Sequence, residues 1–304
     1  MSIIERALNK AKDERQKSGS STGSSNEIQL NLSEQDNYSL NGSIPIVKLT
    51  SIIEKENQSD TRKIENIDWE KLAELGFVTP ASNTNSQAEE EYRNIKRPLI
   101  NNAFGVGSVG INRSNLILVT SSVPGEGKTF TAINLALSIA NERDKKVLLI
   151  DADVARPSVS KTLGINSSPG LIEYLEGRDV EFSDIVLKTN MPGLSVIPAG
   201  KQHKHSTELL TSNKMILLAQ ELSDRYPDRI VIFDSPPLLA ATQGEVLAGL
   251  VGQVILVVEA ENTPQSMIMA SVNKLVFCDV VLVVLNKTQA NVDAIHYGYG
   301  LYGN

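Results

Sequence analysis

The sequence has 304 residues, of which 41% are hydrophobic and 21% are charged, and its formal net charge is −7. The apolar content is enough for a folded core, and the negative balance argues against nucleic-acid binding as the main function, because phosphate backbones are bound by basic surfaces. The single cysteine, Cys278, excludes an intramolecular disulfide, and no apolar run approaches the roughly 20 residues that span a bilayer. We therefore expect a cytoplasmic protein with no transmembrane segment of its own.

Residues 1–88 are predicted to form a mostly disordered regulatory region with short docking elements. Residues 1–17 place apolar side chains on one helical stripe, and a helix this short needs a surface to dock on. A protein surface, either its own body or a partner, is favoured over a membrane because the polar face mixes acids with bases. A polar stretch without sustained periodicity follows, to about residue 66. The segment Trp69–Pro80 is predicted to form a second short docking helix that Gly76 ends.

The next segment, EEYRNIKRPLI, begins a helix that Pro98 is expected to limit. Charged side chains recur in it at a spacing of three and share one helical face: Glu90, Arg93 and Lys96 or Arg97. On spacing alone, a solvated charged stripe is the more frequent explanation of such a row.

From residue 116 onward, short apolar runs rich in β-branched residues alternate with helical patterns. The predicted strands lie at 116–119, 147–150, 194–197, 230–233, 254–258 and 280–285. The predicted helices between them lie at 129–141, 206–225, 243–250 and 263–276. Near-continuous apolar strands that alternate with helices indicate an α/β fold with a mainly parallel sheet covered by helices on both faces. Ligands of such sheets lie at the carboxyl ends of the strands.

The loop after the first of these strands has the features of a phosphate-binding loop. Small residues end in the sequence GEGKT, residues 125–129, and an amphipathic helix follows. Backbone N–H groups in the loop and at the helix N-terminus point at an anion. Lys128 is expected to reach the β- and γ-phosphates, and the Thr129 hydroxyl is expected to ligate Mg²⁺. Ser122 stands where the pattern G-x-x-x-x-G-K-[ST] has its first glycine.

Three carboxylates follow two of the other strands. Asp151 and Asp153 come directly after the second strand, and Asp234 follows the fourth. Asp151 is the first candidate for organising Mg²⁺ and the attacking group, Asp234 for a metal ligand through water, and Asp153 for the base or a helper. One strand-end aspartate is often only a helix N-cap, but three of them downstream of a GEGKT loop predict a nucleotide site.

The nucleotide base is predicted to be adenine. A guanine reader of the N-K-x-D type needs aspartate at its last position, where this sequence has Gln289, while Asn286 is able to face an adenine. ATP is therefore preferred over GTP. The predicted nucleotide-binding residues are Ser122, Gly125, Glu126, Gly127, Lys128, Thr129, Phe130 and Asn286. The predicted catalytic residues are Lys128, Asp151, Asp153 and Asp234, and the predicted metal ligands are Thr129, Asp151 and Asp234.

The last nine residues, HYGYGLYGN, contain Tyr297, Tyr299 and Tyr302, separated mainly by glycine. Taken alone, such a tail is most often a sticky, flexible end. Beside an ATP site it also suits a phosphate acceptor, because a flexible tail is able to reach a γ-phosphate on a neighbouring subunit.

The stretches SSVPGEGKT, LLIDADVARPS and IVIFDSPP, in this order and followed by a tyrosine-rich end, resemble the bacterial tyrosine kinases, which are autokinases built on a P-loop fold. The resemblance covers about residues 89–304. It implies a kinase domain at 89–295 and a phosphorylated tail at 296–304. The implied Walker A, Walker A′ and Walker B motifs are Ser122–Thr129, Leu148–Asp153 and Ile230–Asp234.

The same resemblance implies an oligomerisation helix of the form E-x-x-R-x-x-R. Glu90 and Arg93 match it, and Lys96 stands in place of the last arginine, although lysine cannot make a bidentate fork. Members of the family phosphorylate one another's tyrosine clusters within a ring and control exopolysaccharide synthesis or export. The resemblance to soluble members at exopolysaccharide loci implies a separate membrane chain-length (polysaccharide co-polymerase) partner, which would recruit the kinase to the inner face of the membrane.

Two other functions stay open from the sequence. The partition and septum-positioning ATPases share the deviant P-loop, but they carry a second lysine early in the loop, where this sequence has Val123. A nucleotide-gated scaffold of the polysaccharide machinery, with little kinase activity, is the third possibility.

Overall fold

The computed structural model describes residues 64–80, 87–105, 110–177, 179–202, 204–226 and 228–288. The amphipathic pattern at residues 1–17 and the tyrosine-rich tail at 296–304 lie outside the described residues. The described part of the chain, from Ile64 onward, belongs to a single compact unit. None of its helices is long and apolar enough to cross a membrane.

The strands of the described residues are β1 (Ile64–Glu65), β2 (Leu116–Ser121), β3 (Lys146–Asp151), β4 (Leu187–Thr189), β5 (Leu194–Ile197), β6 (Arg229–Asp234), β7 (Gln253–Glu259) and β8 (Val280–Asn286). The helices are α1 (Trp69–Glu74), α2 (Gln87–Phe104), α3 (Lys128–Ala140), α4 (Val159–Leu163), α5 (Leu171–Glu176), α6 (Phe182–Ile185), α7 (Ser206–Leu209), α8 (Asn213–Arg225), α9 (Gln243–Ala248) and α10 (Gln265–Lys274).

The strands form one sheet in the order β1-β4-β5-β3-β6-β2-β7-β8, and every pairing except β4–β5 is parallel. All six residues of β2 are buried, as expected of a central strand covered on both faces. The predicted α/β fold with a mainly parallel sheet is confirmed. The register pairs Asp151 at the end of β3 with Asp234 at the end of β6, so two of the predicted site residues are direct neighbours.

Two strands, one helix break and the short helices α4, α5 and α6 were not predicted. β1 and β4 are two and three residues long, too short to give a recognisable apolar pattern, and their pairing depends on neighbours that are distant in sequence. The helix predicted at 206–225 is divided into α7 and α8. The division arises because Ser212 caps α8, where its Oγ accepts a hydrogen bond from the backbone N–H of Met215 at 3.4 Å.

The prediction that Pro98 limits its helix is wrong, because α2 continues through Pro98 to Phe104. Proline removes one helical N–H, which leaves the carbonyl four residues earlier without its donor. Pro98 lies on the exposed side of α2, where water is able to satisfy that carbonyl. Tyr92 and Leu99 on the opposite side are buried in the core and anchor the helix across the proline.

The predicted docking helix Trp69–Pro80 packs against the body of the same chain. Leu72 is fully buried in α1, and the Phe77 ring packs at a tilt against Phe130 in the first turn of α3 with ring centroids 4.6 Å apart. The Val78 N–H donates to Asn134 Oδ1 at 2.7 Å. Residues 64–80 are therefore attached to the helix that follows the phosphate-binding loop.

Candidate active site

The loop between β2 and α3 has a backbone that only glycine fits well at two positions. Gly125 and Gly127 have φ angles of 95° and 96°, in the left-handed region. A Cβ on Gly127 would lie 2.0 Å from the Asn286 side-chain nitrogen, and that nitrogen donates to the Glu126 carbonyl at 2.8 Å. Asn286 therefore braces the loop from the end of β8, and its predicted contact with adenine stays a prediction.

The Glu126 side chain is buried and stabilises the loop from inside. Its carboxylate accepts hydrogen bonds from the Val123 N–H at 2.7 Å and from the Thr263 hydroxyl at 2.5 Å. Ser122, in the place of the expected first glycine, is fully buried and accepts a hydrogen bond from the Ser271 hydroxyl at 2.9 Å. The side chains of Ser122 and Glu126 thus connect the loop to the segment around α10, and their predicted contacts with the nucleotide stay predictions.

Lys128 lies among the carboxylates at the carboxyl ends of β3 and β6. Its Nζ is 2.8 Å from Asp153 Oδ2 and 3.9 Å from Asp234 Oδ1. The Thr129 hydroxyl donates to Asp234 Oδ2 at 2.7 Å. The first two residues of α3 are therefore connected directly to two of the three predicted aspartates.

Asp151 is held by the N-terminus of α4. Its Oδ2 accepts hydrogen bonds from the backbone N–H groups of Ser158 and Val159, both at 3.0 Å. The Ser158 hydroxyl donates to Thr129 Oγ1 at 3.1 Å. Ser158 was not among the predicted site residues, and the short, mostly polar helix that follows it, VSKTL, gives no strong sequence signal.

Burial and mutual repulsion shift the ionisation of this cluster. Burial raises the pKa of Asp151, and the neighbouring charge of Asp234 raises it further. The hydrogen bonds from the two backbone N–H groups lower the pKa, but the net shift is upward. Burial also raises the pKa of Asp234, although Lys128 opposes the shift. For Lys128, burial lowers the pKa, but the charges of Asp234 and Asp153 outweigh it and leave the pKa raised. The cluster therefore favours a bound cation.

Two carboxylate oxygens fit a metal ion. Asp151 Oδ1 and Asp234 Oδ1 are buried and have no hydrogen-bond donor among the described residues, which is unusual for buried polar atoms. Carboxylate and hydroxyl oxygens are the ligands that Mg²⁺ prefers, and Thr129 supplies a hydroxyl beside them. The residues predicted to hold Mg²⁺ thus form a suitable donor set.

Phe130 is turned away from this cluster. Its ring packs against Phe77 and the hydrophobic core, which gives it a structural role in attaching residues 64–80 to α3. This packing adds no support to the predicted contact of Phe130 with the nucleotide, which stays a prediction.

The charged row on α2 is divided between the surface and the interior. Glu90 and Arg93 form a 2.5 Å ion pair with side chains 60% and 56% exposed. Lys96 is buried, donates to the Ser138 carbonyl at 2.7 Å and lies 2.9 Å from Glu142 Oε1. Lys96 therefore joins α2 to the end of α3 within one chain.

The chain is similar to known tyrosine kinases. An AAA-domain family matches residues 114–266. The tyrosine-protein kinase Ptk of Acinetobacter johnsonii is 35% identical over 162 residues, which are 53% of this chain and 22% of Ptk. The tyrosine-protein kinase YwqD of Bacillus subtilis strain 168 is 33% identical over 189 residues, which are 62% of this chain and 77% of YwqD. The kinase domain of the Escherichia coli tyrosine kinase ETK has a TM-score of 0.59 at 26% identity, covering 82% of this chain and 90% of that domain.

The glycine loop, the parallel sheet and the carboxylates at its strand ends define a P-loop nucleoside triphosphatase fold. Within that class, the chain belongs to the bacterial tyrosine kinase family. The family predicted from the three motifs is confirmed. The match extends over about a fifth of the length of Ptk and about three quarters of the length of YwqD.

Proposed function

We propose that this chain is an ATP-dependent protein-tyrosine autokinase whose acceptors are Tyr297, Tyr299 and Tyr302 in the tail of a neighbouring subunit. The observation that supports the proposal is the group of buried carboxylates around Lys128, which adjoins the phosphate-binding loop in a chain of this family. Phosphoryl transfer depends mainly on positioning and charge stabilisation, and this group supplies fixed charges of both signs.

The residues that would hold MgATP are those of the loop and the strand ends. The backbone N–H groups of residues 125–129 and the Lys128 ammonium suit the phosphates, and Thr129, Asp151 and Asp234 suit Mg²⁺. When bound, MgATP supplies the phosphoryl group, and Mg²⁺ offsets part of the phosphate charge.

The tyrosine hydroxyl needs a proton acceptor, because a phenol with a pKa near 10 is almost entirely protonated at neutral pH. Asp151 or Asp153 accepts or orients this proton. Burial raises the pKa of Asp151, and a carboxylate with a raised pKa is a stronger proton acceptor once it is ionised.

The first test is intact-mass analysis of the purified protein after incubation with MgATP. The wild type is expected to gain up to three phosphates, and a form that ends at Ile295 is expected to gain none, because it lacks all three proposed acceptors. ATP hydrolysis without any gain in mass would favour the partition-type ATPase or the nucleotide-gated scaffold. Equal phosphorylation of the shortened form would move the acceptors elsewhere in the chain.

We also infer that the subunits assemble through the exposed face of α2 and that Arg97 supplies the third contact. Glu90, Arg93 and Arg97 lie on one face of the helix and are exposed, whereas the Lys96 side chain is engaged inside the subunit. A groove of about 650 Å³ lies along this face and includes the apolar side chain of Phe104.

Replacing both Arg93 and Arg97 with alanine is expected to weaken assembly, because charge pairs between subunits are lost. The protein concentration at which half of the subunits are assembled is expected to rise by at least about tenfold. Light scattering after size-exclusion chromatography measures this. The control, Arg143→Ala/Lys146→Ala, removes two exposed cations elsewhere and is expected to assemble like the wild type. Unchanged assembly of the Arg93/Arg97 variant would contradict the assigned face.

Phosphorylation of the tails is proposed to loosen this assembly, because each phosphate adds roughly −1.5 to −2 charge to an acidic protein. The cycle would regulate exopolysaccharide synthesis or export in the cytoplasm at the inner face of the membrane. Recruitment there would require a separate membrane chain-length protein, with residues 1–88 as the docking region.

A further inference from the structure

Two surface loops beside the candidate active site, the first of which includes the short helix α4 and the second of which leads into α7, carry positive charge only. Residues 154–170 and residues 198–207 contain no aspartate or glutamate, although the chain as a whole has a net charge of −7. Four exposed cations lie in these two segments, and we call them the basic rim: Arg156, Lys161, Lys201 and Lys204. A local field of this sign attracts anions.

The basic rim borders the transfer site directly. Its two loops follow the carboxyl ends of β3 and β5, which are neighbours in the sheet. The Gln202 side chain joins them by donating to the Ala155 carbonyl at 3.1 Å. On the inner side, the Arg156 N–H donates to Asp153 Oδ1 at 3.1 Å, and Asp153 is the carboxylate that contacts Lys128.

A buried carboxylate, Glu173, fixes the second loop in place. Its oxygens accept hydrogen bonds from the Lys201 N–H and the Gly170 N–H at 3.0 Å and from the Ser168 hydroxyl at 2.9 Å. A Cβ on Gly200 would lie 2.0 Å from Glu173 Oε2, so glycine is required there for the loop to approach. The backbone that carries Lys201 is therefore held at a defined place.

We propose that the basic rim binds a phosphotyrosine already formed on a tail while another tyrosine of the same tail occupies the transfer site. The proposal rests on the proposed kinase function and names the form of the substrate that this site prefers. An unmodified tyrosine carries no charge, whereas a phosphotyrosine carries roughly −1.5 to −2. A cluster of cations therefore distinguishes the two forms of the tail.

The spacing of the acceptors fits this arrangement. An extended chain advances about 3.3–3.6 Å per residue, so an extended tail would separate Tyr297 from Tyr299 by about 7 Å and Tyr299 from Tyr302 by about 10 Å. Neighbouring strands lie about 4.8 Å apart, and the two loops that carry the rim leave the adjacent strands β3 and β5. The glycines between the tyrosines allow the extended form. Later transfers to one tail would therefore be faster than the first.

The test measures the binding of synthetic peptides to the full chain by fluorescence anisotropy, without ATP. Both peptides have the sequence of residues 293–304, and one of them is phosphorylated at the tyrosine of position 299. The phosphopeptide is expected to bind the wild type about tenfold more tightly than the unmodified peptide, as expected for charge-assisted contacts. Lys201→Ala/Lys204→Ala is expected to remove this preference. The matched control, Arg143→Ala/Lys146→Ala, removes the same charge at the other end of β3 and is expected to retain the preference.

Equal binding of the two peptides to the wild type, or an unchanged preference in Lys201→Ala/Lys204→Ala, would overturn the proposal. If the control variant also lost the preference, the preference would follow from the overall charge of the protein and not from the basic rim. This result would also overturn the proposal. Inorganic phosphate that competes as well as the phosphopeptide would assign the rim to free phosphate. If phosphatidylglycerol vesicles bound through Lys201 and Lys204 and the phosphopeptide was not preferred over the unmodified peptide, the rim would be assigned to a membrane surface. Either result would refute the proposal.

Failure of the two proposals is distinguishable. A chain that prefers the phosphopeptide but gains no mass with MgATP would contradict the kinase function and leave the rim in place. A chain that gains phosphates with no such preference would contradict the rim alone.

Discussion

Replacing Lys128 with methionine is expected to lower phosphate incorporation by at least about a thousandfold, because the variant loses the cation that is proposed to hold the phosphates of ATP. Nζ of Lys128 is 2.8 Å from Asp153 Oδ2 and 3.9 Å from Asp234 Oδ1, and its side chain is only 12% exposed. Methionine has a similar length without the charge. Intact-mass analysis over time gives the rate of incorporation.

A matched control separates this effect from the loss of any lysine. Lys274 makes a 2.7 Å ion pair with Glu245 on the surface, and Lys274→Met is expected to keep the rate within about twofold, as exposed ion pairs contribute little to stability. Lys128→Met also leaves Asp153 without its partner and is expected to lower the melting temperature. Adding Asp153→Asn is expected to restore the melting temperature without restoring phosphate incorporation. A rate above a tenth of wild type in a folded Lys128→Met variant would contradict the assignment.

Replacing Asp151 with asparagine is expected to have opposite effects on stability and on activity. In the metal-free protein, burial raises the pKa of Asp151 above its unfolded value near 3.9. The native state then keeps the proton to a higher pH than the unfolded chain does, so stability is lost as the pH rises from about 4 through the native pKa. Asparagine carries no charge and removes this loss, while its side-chain oxygen is still able to accept from the two N–H groups at the start of α4.

The Asp151→Asn variant is therefore expected to be more stable than the wild type at pH 8 by an amount on the order of 2 kcal/mol, or about 4–8 °C in melting temperature. The difference is expected to shrink as the pH is lowered towards 4. Calorimetry in EDTA measures it. Phosphate incorporation is expected to fall at least about a hundredfold, because a proposed metal ligand is lost.

Asp153→Asn is the contrasting control for this effect. It removes the 2.8 Å partner of Lys128 and is expected to lower the melting temperature. An Asp151→Asn variant that is less stable than the wild type at pH 8 would show that the Asp151 carboxylate is stabilised by its N–H donors more than it is penalised by burial.

The parts of the site that the sequence predicted are those with short-range causes. Asp151 and Asp234 each end a buried parallel strand, and parallel strands present their carboxyl ends at the same edge, so their proximity follows from the apolar pattern. The glycine loop and the helix after it are contiguous in sequence, and each position has a recognised role. Loop, sheet and strand-end carboxylates were therefore predictable without coordinates.

The sequence was less informative where one residue type serves two environments. The spacing of three from Arg93 places Lys96 in a charged row on the helix surface. In the structure, however, Lys96 is buried and contacts the Ser138 carbonyl and the Glu142 carboxylate. Pro98 is a helix breaker by propensity, yet the anchored side of α2 holds the helix through it. In both cases a contact made far along the chain outweighs a local preference.

The sequence by itself determined the class of this protein, because a parallel sheet and a phosphate-binding loop each follow from local periodicity and from the residue types that such a loop requires. Only the tertiary structure decided which groups face one another. The Asn286 amide braces the loop across the sheet, Phe130 packs against residues 64–80, and the Gln202 side chain joins the two acid-free loops. These contacts join residues distant in sequence, and their geometry depends on strand order and side-chain packing, neither of which leaves a periodic signal in the chain.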